Sequence, residues 1–238
     1  MRRILITNDD GIGAEGLFRL AEAAKRFGEV WAVAPDSERS AASHSITLHD
    51  HLDVYPHDFP VPGVRAYTCS GMPADCIRVG VLNIMPGKPD VVLSGVNYGY
   101  NLATDTQYSA TVGAAMEAAF QGIHAIALSE AAHPNHDAAD TFLSDVLGTL
   151  LDDRLGYGEI YNVNFPGISR GRCRGILRDR TVSHGVMYRD RYNVVKNLPG
   201  GGVRLMVEGR YGEDAEPGTD FQAVLDGYVS VGVVRNIG

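Results

Sequence analysis

Near the start of the chain, residues 3–11 read RILITNDDG, an apolar run that ends in three polar residues and a glycine. Aliphatic residues bounded by Asn, Asp and Gly are typical of a buried strand followed by a turn. Residues 14–27 then place apolar side chains at helical spacing, and Gly28 is a common signal for the end of a helix. The chain therefore opens with a strand, a turn and a helix.

The same alternation of strand and helix patterns continues as far as residue 165. Continuous apolar strands that alternate with helices indicate a parallel sheet covered on both faces. We therefore predict an α/β fold, with a Rossmann-like three-layer core and a mainly parallel sheet, over residues 1–166. The further strands are expected at 30–34, 90–94, 125–128 and 161–165, and the further helices at 73–83, 110–120 and 137–151.

The pattern changes after Pro166. Strand-like pieces at residues 203–207 and 228–234 are separated by glycine-rich stretches. We predict a β-rich extension over residues 167–238 that serves in oligomerisation. A stretch with three histidines, residues 49–62, is interpreted as a loop or a strand pair, and its histidines as solvated or core side chains.

The composition limits the expected partners and location. The chain has 238 residues and a net charge of −8. An acidic protein is a poor partner for nucleic acid polymers, because neutralisation of phosphates by Lys and Arg dominates their binding. No apolar run approaches the ~20 residues of a membrane span, and we find no secretory signal pattern. We therefore expect a cytoplasmic protein with neither a membrane nor a nucleic acid partner, and its three cysteines lack disulfide or zinc spacing.

Three polar clusters follow predicted strands. Asp9 and Asp10 come directly after the first strand, the hydroxyl-rich residues 36–45 follow the second, and Asn97 and Asn101 follow the third. In open α/β sheets, ligands bind beyond the carboxyl ends of the strands. Carboxylate and amide oxygens suit Mg²⁺, Mn²⁺ or Ca²⁺. Taken singly, each cluster is also consistent with an Asx turn, a helix cap or a solvated loop.

A fourth cluster, with Ser109 and Thr111, lies at the start of the predicted helix 110–120. Free N–H groups and the helix dipole make such an end a site for anions, although a simple hydroxyl cap is the commoner arrangement. The coincidence of oxygen-rich strand ends with this helix N-terminus predicts a hard cation beside a small anion.

Several other phosphate and hydrolase chemistries are excluded by motif. Asp10 is followed by Gly11 and Ile12, so the first strand does not carry a DxD nucleophile. The chain has no GxxxxGK[ST] loop, no GxGxxG after its first strand and no GxSxG elbow. Metal-assisted hydrolysis without a covalent intermediate is the chemistry that remains.

Six segments resemble the SurE family of survival-protein nucleotidases, in the family's order and from end to end of the chain. Because the segments are long and ordered, the resemblance identifies the chain as a member of that family. The segments are ILITNDDG, CSGMPADC, SGVNYGYN, YSATVGAAMEA, YNVNFP and TDFQAVLDGYVSV.

The resemblance implies a fold and an activity. The fold would be a Rossmann-like core with a β-rich C-terminal extension that is exchanged between subunits, while the last helix and strand return to the core. The activity would be hydrolysis of nucleoside 5′- and 3′-monophosphates with one divalent ion, Mg²⁺ or Mn²⁺, per subunit. Some members also hydrolyse short polyphosphate, and a homodimer or homotetramer is expected.

The resemblance also implies roles for particular residues. The metal ligands would be Asp9, Asp10, Ser40 and Asn97, and either aspartate could take the proton of the attacking water. The residues that sit where relatives line the phosphate site are Asn101, Ser109 and Thr111.

Two departures from the family pattern leave alternatives open. Ala41 and Ala110 stand where relatives usually have glycine, and an added methyl group restricts the backbone and could crowd a phosphate oxygen. A second hypothesis is therefore a catalytically weak, metal-dependent nucleotide sensor. A third is an acid phosphatase that uses His44 as nucleophile and needs no metal.

Overall fold

The computed structural model of the chain describes residues 1–212 and 214–235. Residue 213 and residues 236–238 belong to the predicted extension and lie outside the described residues. The helices are α1 (Glu15–Ala24), α2 (Pro73–Val79), α3 (Ala110–Phe120), α4 (Asp137–Leu150) and α5 (Asp220–Leu225). The strands are β1 (Arg2–Thr7), β2 (Gly28–Pro35), β3 (Val54–His57), β4 (Arg65–Cys69), β5 (Val91–Tyr98), β6 (His124–Glu130), β7 (Glu159–Phe165), β8 (Ile176–Arg180), β9 (Tyr188–Asn197), β10 (Val203–Tyr211) and β11 (Val229–Arg235).

The central sheet has nine strands in the order β3-β4-β2-β1-β5-β6-β7-β11-β8. The six strands from β4 to β7 are parallel, while β3 and β11 run antiparallel to β4 and β7 respectively. The predicted, mainly parallel sheet is therefore confirmed. In the register of β1 and β5, Thr7 lies beside Ser94, so the polar residues after each strand emerge at the same sheet edge.

Helices cover both faces of this sheet, which confirms the predicted three layers. Alternating strand residues divide the core: Ile4 and Ile6 face a cluster with residues of α1 and α4, whereas Leu5 faces a cluster with residues of α2 and α3. The α3 helix is built almost entirely of small residues, which allows it to pack closely on the sheet.

Each predicted strand and helix has an observed counterpart, with two informative differences, whereas strands β4, β8 and β9 were not predicted. The helix expected over residues 73–83 ends as α-helix at Val79 and continues as a π-helical turn, Gly80–Ile84. The histidine-rich stretch contributes one strand, β3, which pairs with β4 rather than with a second strand of its own. No helix in residues 1–212 and 214–235 combines the length and apolarity that a bilayer span requires.

The C-terminal part of the chain is divided between two sheets. Strands β8 and β11 extend the central sheet, while β9 and β10 form a separate antiparallel hairpin, residues 188–211. Helix α5 packs through Phe221 and Val224 against Leu102. The hairpin is the predicted β-rich element; a boundary at residue 166 and an exchange of the hairpin between subunits remain predictions.

Candidate active site

The acidic part of the site lies immediately after β1. Asn8 Nδ2 donates to the Gly11 carbonyl oxygen at 2.9 Å, and Gly11 takes the left-handed φ of +100° that favours glycine. This turn ends the strand and places Asp9 and Asp10 at the sheet edge. Asp9 is buried, with 3% of its surface exposed, whereas Asp10 is half-buried and accepts from the Tyr98 backbone N–H at 3.2 Å.

Asp9 is held in an environment that disfavours a bare negative charge. The Thr111 hydroxyl donates to Asp9 Oδ1, and the Arg39 backbone N–H donates to the Asp9 carbonyl oxygen at 2.7 Å. Burial raises the pKa of the Asp9 carboxyl to about 6; the Thr111 hydrogen bond opposes this shift, and the charges of Asp10 and Glu38 add to it. The negative charges of Asp10 and Glu38 therefore favour a cation near Asp9.

The loop at residues 36–45 is fixed against the start of α3. Ser40 is exposed, and its hydroxyl donates to Glu38 Oε1 at 2.7 Å. The Ser43 backbone N–H donates to the Tyr108 carbonyl oxygen at 3.0 Å. A Cβ atom on Gly113 would lie 2.4 Å from the Ser43 carbonyl oxygen, so only glycine allows the loop to approach α3 this closely.

The N-terminus of α3 supplies the neutral, donor-rich part of the site. Ser109 caps the helix, because its hydroxyl accepts from the Val112 backbone N–H at 3.0 Å. Asn101 is buried, and its Nδ2 donates to Ser129 Oγ at 2.7 Å. Its backbone N–H donates to Asn164 Oδ1 at 2.9 Å, so residues of β6 and β7 hold Asn101 in place.

One cavity of about 820 Å³ brings most of these residues together. Two predicted residues, Asp10 and Thr111, do not line it but hydrogen-bond to residues that do, Tyr98 and Asp9. The predicted site residues that line the cavity are Asp9, Ser40, Asn97, Asn101 and Ser109.

The chemistry of the donors fits a hard cation. Within residues 1–212 and 214–235, Asp9, Asp10 and Glu38 form no ion pair with Lys, Arg or His. Nor does this part of the chain hold a group of three or more His, Cys, Asp and Glu side chains that could bind a metal. The predicted ligand set is of another kind, because it combines two carboxylates with one hydroxyl and one amide. All four groups offer oxygen donors, which suit Mg²⁺ or Mn²⁺.

Other sequence features have different places in the structure. His44 Nε2 lies 3.0 Å from Glu117 Oε2, and its ring stacks on Phe120; it lines a separate small pocket. This placement argues against His44 as a nucleophile. Ala41 lines the large cavity and has a φ of +57°, the left-handed conformation that a glycine would adopt without strain. Ala110 is fully buried at the start of α3.

Several residues of the site carried no role in the sequence analysis. Glu38 lies in the polar loop at residues 36–45, but the local sequence does not indicate that its charge acts on Asp9 and Asp10. Tyr98 and Tyr108 belong to the quoted motifs, but their exposure at the cavity depends on tertiary packing, which the motifs do not show. No sequence signal indicated the hairpin residues that also line the cavity, which are Tyr188, Asp190, Tyr192 and Val207.

Known proteins resemble this chain along nearly its whole length. The family model "Survival protein SurE" matches residues 4–186. The 5′-nucleotidase SurE of Erythrobacter litoralis is 40% identical over 238 residues, which is 96% of this chain and 91% of that protein. The 5′/3′-nucleotidase SurE of Escherichia coli is 38% identical over 230 residues, covering 96% and 88% of the two chains.

A solved structure supports the same relationship. The crystal structure of the SurE protein from Aquifex aeolicus superposes with a TM-score of 0.82 at 34% identity, covering 98% of this chain and 93% of that one. The range that the family model matches, residues 4–186, includes Asp9, Ser40, Asn97 and Ser109. The chain is a member of the SurE family.

Proposed function

We propose that this protein hydrolyses nucleoside 5′- and 3′-monophosphates to nucleoside and phosphate, and that it requires a divalent cation. The observation that carries the proposal is Asp9, a buried carboxylate beside Asp10 and Glu38, at a cavity that also holds the N-terminus of α3. Membership of a family with nucleotidase relatives supports the substrate class. Short polyphosphate, whose terminal phosphoryl group has the same chemistry, is included in the proposal.

The residues that would hold one Mg²⁺ or Mn²⁺ per subunit are Asp9, Asp10, Ser40 and Asn97. When bound there, the cation supplies Lewis-acid polarisation of the phosphoryl group and lowers the pKa of coordinated water. Hydrogen bonds orient the side chains of Ser40 and Asn97: the Ser40 hydroxyl donates to Glu38, and Asn97 Nδ2 donates to the Gly99 carbonyl oxygen at 2.8 Å. The proton of the attacking water passes to a carboxylate of the Asp9–Asp10 pair.

The phosphoryl group would lie against the N-terminus of α3. This helix has eleven residues, and the unpaired N–H groups of its first turn favour an anion. Ser109 and Asn101 line the cavity beside it, and their hydrogen bonds to Val112 and Ser129 orient both side chains before substrate arrives. Thr111 links this end to the acidic end through its hydrogen bond to Asp9. Donors aligned in advance in this way stabilise developing charge on phosphoryl oxygens.

The hairpin at residues 188–211 supports a homo-oligomer, a dimer or a tetramer, as the working form. Both of its strands are almost wholly exposed although they carry many apolar residues. An isolated two-stranded hairpin with exposed apolar residues gains stability when a second surface covers it. Exchange of the hairpin between subunits would provide that surface. The reducing cytoplasm is the proposed location, because the chain's three cysteines, all within its described part, are free thiols.

A phosphate-release assay tests the activity. AMP, 3′-AMP and short polyphosphate are each supplied with Mg²⁺, with Mn²⁺ and with EDTA. We expect release with a cation and its loss with EDTA. Release that survives EDTA would support a metal-independent acid phosphatase, and nucleotide binding without release would support the sensor hypothesis. Light scattering of the same sample tests the oligomer, which a purely monomeric mass would contradict.

A further inference from the structure

Two exposed tyrosines of different parts of the chain line the cavity. Tyr108 directly precedes the helix cap Ser109 and is 65% exposed, while Tyr192 comes from β9 of the hairpin and is 64% exposed. Within the described ranges, neither ring packs against another aromatic ring. Both side chains therefore have exposed surface at the cavity that a planar ligand can contact.

The base of the hairpin is anchored beside the segment that carries Tyr108. Met187 is buried against Leu102 and Ala103, and the Thr104 hydroxyl donates to the Gly185 carbonyl oxygen at 3.4 Å. Within the hairpin, a Cβ atom at Gly209 would lie 1.5 Å from the ring of Tyr188, so that ring lies flat over the glycine. These contacts fix the face of β9 that borders the cavity.

Two carboxylates border the same outer part of the cavity. Asp105, in the short helical segment before Tyr108, and Asp190, on β9, both line it. Burial raises the pKa of the Asp105 carboxyl, and the charge of Asp190 adds to the effect. Neither forms an ion pair in the described part of the chain. Uncompensated carboxylates repel a phosphate group but accept hydrogen bonds from N–H donors.

We propose that this outer part of the cavity is a nucleobase subsite. A purine stacks on Tyr108 and Tyr192, while Asp105 and Asp190 accept hydrogen bonds from its N–H groups. Guanine is the favoured base, because its N1–H and its 2-amino group present adjacent donors to a carboxylate. The inference rests on the proposed function, since it assumes that the phosphate occupies the α3 end of the cavity and directs the base outward.

The first test compares kcat/KM for GMP with that for ribose 5-phosphate, which lacks a base. We expect GMP to be the better substrate. Tyr192→Ala should lower the ratio of the two values about 5- to 150-fold, because base–aromatic stacking has that strength. Tyr192→Phe should keep the ratio, and Tyr55→Ala, a change at an equally exposed tyrosine on the opposite edge strand β3, should leave it at the wild-type value.

The second test compares GMP with IMP, which lacks only the 2-amino group. A carboxylate acceptor should favour GMP by at least about 10-fold, the strength of a hydrogen bond to a charged group. Asp190→Ala should bring the two substrates closer to equality. Equal values for GMP and IMP in the wild-type protein would overturn the role of the carboxylates.

The outcomes separate the subsite from the proposed function. If Tyr192→Ala lowers kcat/KM for GMP and ribose 5-phosphate equally, Tyr192 has only a structural role and the subsite is refuted while the activity stands. If no phosphate ester is hydrolysed at all, the proposed function fails, and calorimetry with guanosine still decides on the subsite. Guanosine should then bind more weakly to Tyr192→Ala than to the wild-type protein; equal binding would refute it.

Discussion

Helix α3 and the β9–β10 hairpin border the same cavity, but they use their apolar residues in opposite ways. Residues 110–119 of α3 are all buried within the chain. The hairpin exposes nearly every residue of both strands, including Val194, Leu205 and Met206. The α3 side of the cavity is thus built from packed residues, whereas the proposed partner surface and part of the proposed base subsite lie on the exposed hairpin.

From this contrast we expect the largest effect, a loss of activity, at Asp9, the carboxylate that Thr111 of α3 contacts. Asp9→Asn should lower the rate of nucleoside monophosphate hydrolysis by at least about 100- to 1000-fold, because it removes a charge that the transition state depends on. Circular dichroism should show an intact fold. Asp145→Asn, a change at an exposed aspartate of α4, serves as control and should retain activity. A folded Asp9→Asn protein with normal turnover would refute the ligand assignment.

The next effect concerns pH and the metal-free protein. Burial raises the pKa of Asp9 from its ordinary 3.8 to about 6 in the folded state, so the folded state binds more protons than the unfolded state between these pH values. Stability should therefore fall as the pH rises from about 4 to about 7, by roughly 3 kcal/mol for this group. Urea titrations in EDTA measure the free energy of unfolding at each pH. Saturating Mn²⁺ should reverse the loss, and Asp9→Asn should flatten the profile; a flat wild-type profile would contradict the assignment.

A smaller effect is expected in the loop that packs on α3. Ala41→Gly should stabilise the protein by about 1 kcal/mol, because the left-handed backbone at this residue strains an alanine and not a glycine. Ala42→Gly is the matched control, since Ala42 has no such backbone and should lose about 0.5–1 kcal/mol. Thermal unfolding measures both variants, and a destabilised Ala41→Gly would contradict this explanation.

The smallest effect on stability is expected in the hairpin. Leu205→Ser should change the free energy of unfolding of a single subunit by less than about 0.5 kcal/mol, because the side chain is 49% exposed. The same change should weaken the oligomer, which sedimentation at several concentrations would detect. Leu82→Ser, at a leucine that is 68% exposed outside the hairpin, should leave the mass unchanged. If both variants behave alike, the hairpin is not the contact surface.

The difference between the two regions also explains what the sequence could predict. The strands around Ile4–Ile6 and the helix at 110–120 follow from local apolar patterns, and parallel strands necessarily bring their carboxyl ends to one edge. The convergence of Asp9, Ser40 and Asn97 on one cavity was therefore predictable.

Contacts between distant segments were not predictable in this way. The charge of Glu38 beside Asp9, the contact of His44 with Glu117 and the position of Tyr192 over the cavity depend on tertiary packing. The strand pattern at residues 203–207 predicts part of β10, but it indicates neither the partner strand β9 nor the surface that the hairpin covers.

The close approach of Gly113 to the Ser43 carbonyl oxygen has a thermodynamic consequence. It sets a fixed spacing between the loop that carries Ser40 and the helix that begins after Ser109. Ligands at the two ends then share one framework, and linkage requires their effects to be reciprocal. At the proposed metal and phosphate sites, the factor by which Mn²⁺ raises the affinity for inorganic phosphate equals the factor by which phosphate raises the affinity for Mn²⁺, so the two affinities rise and fall together.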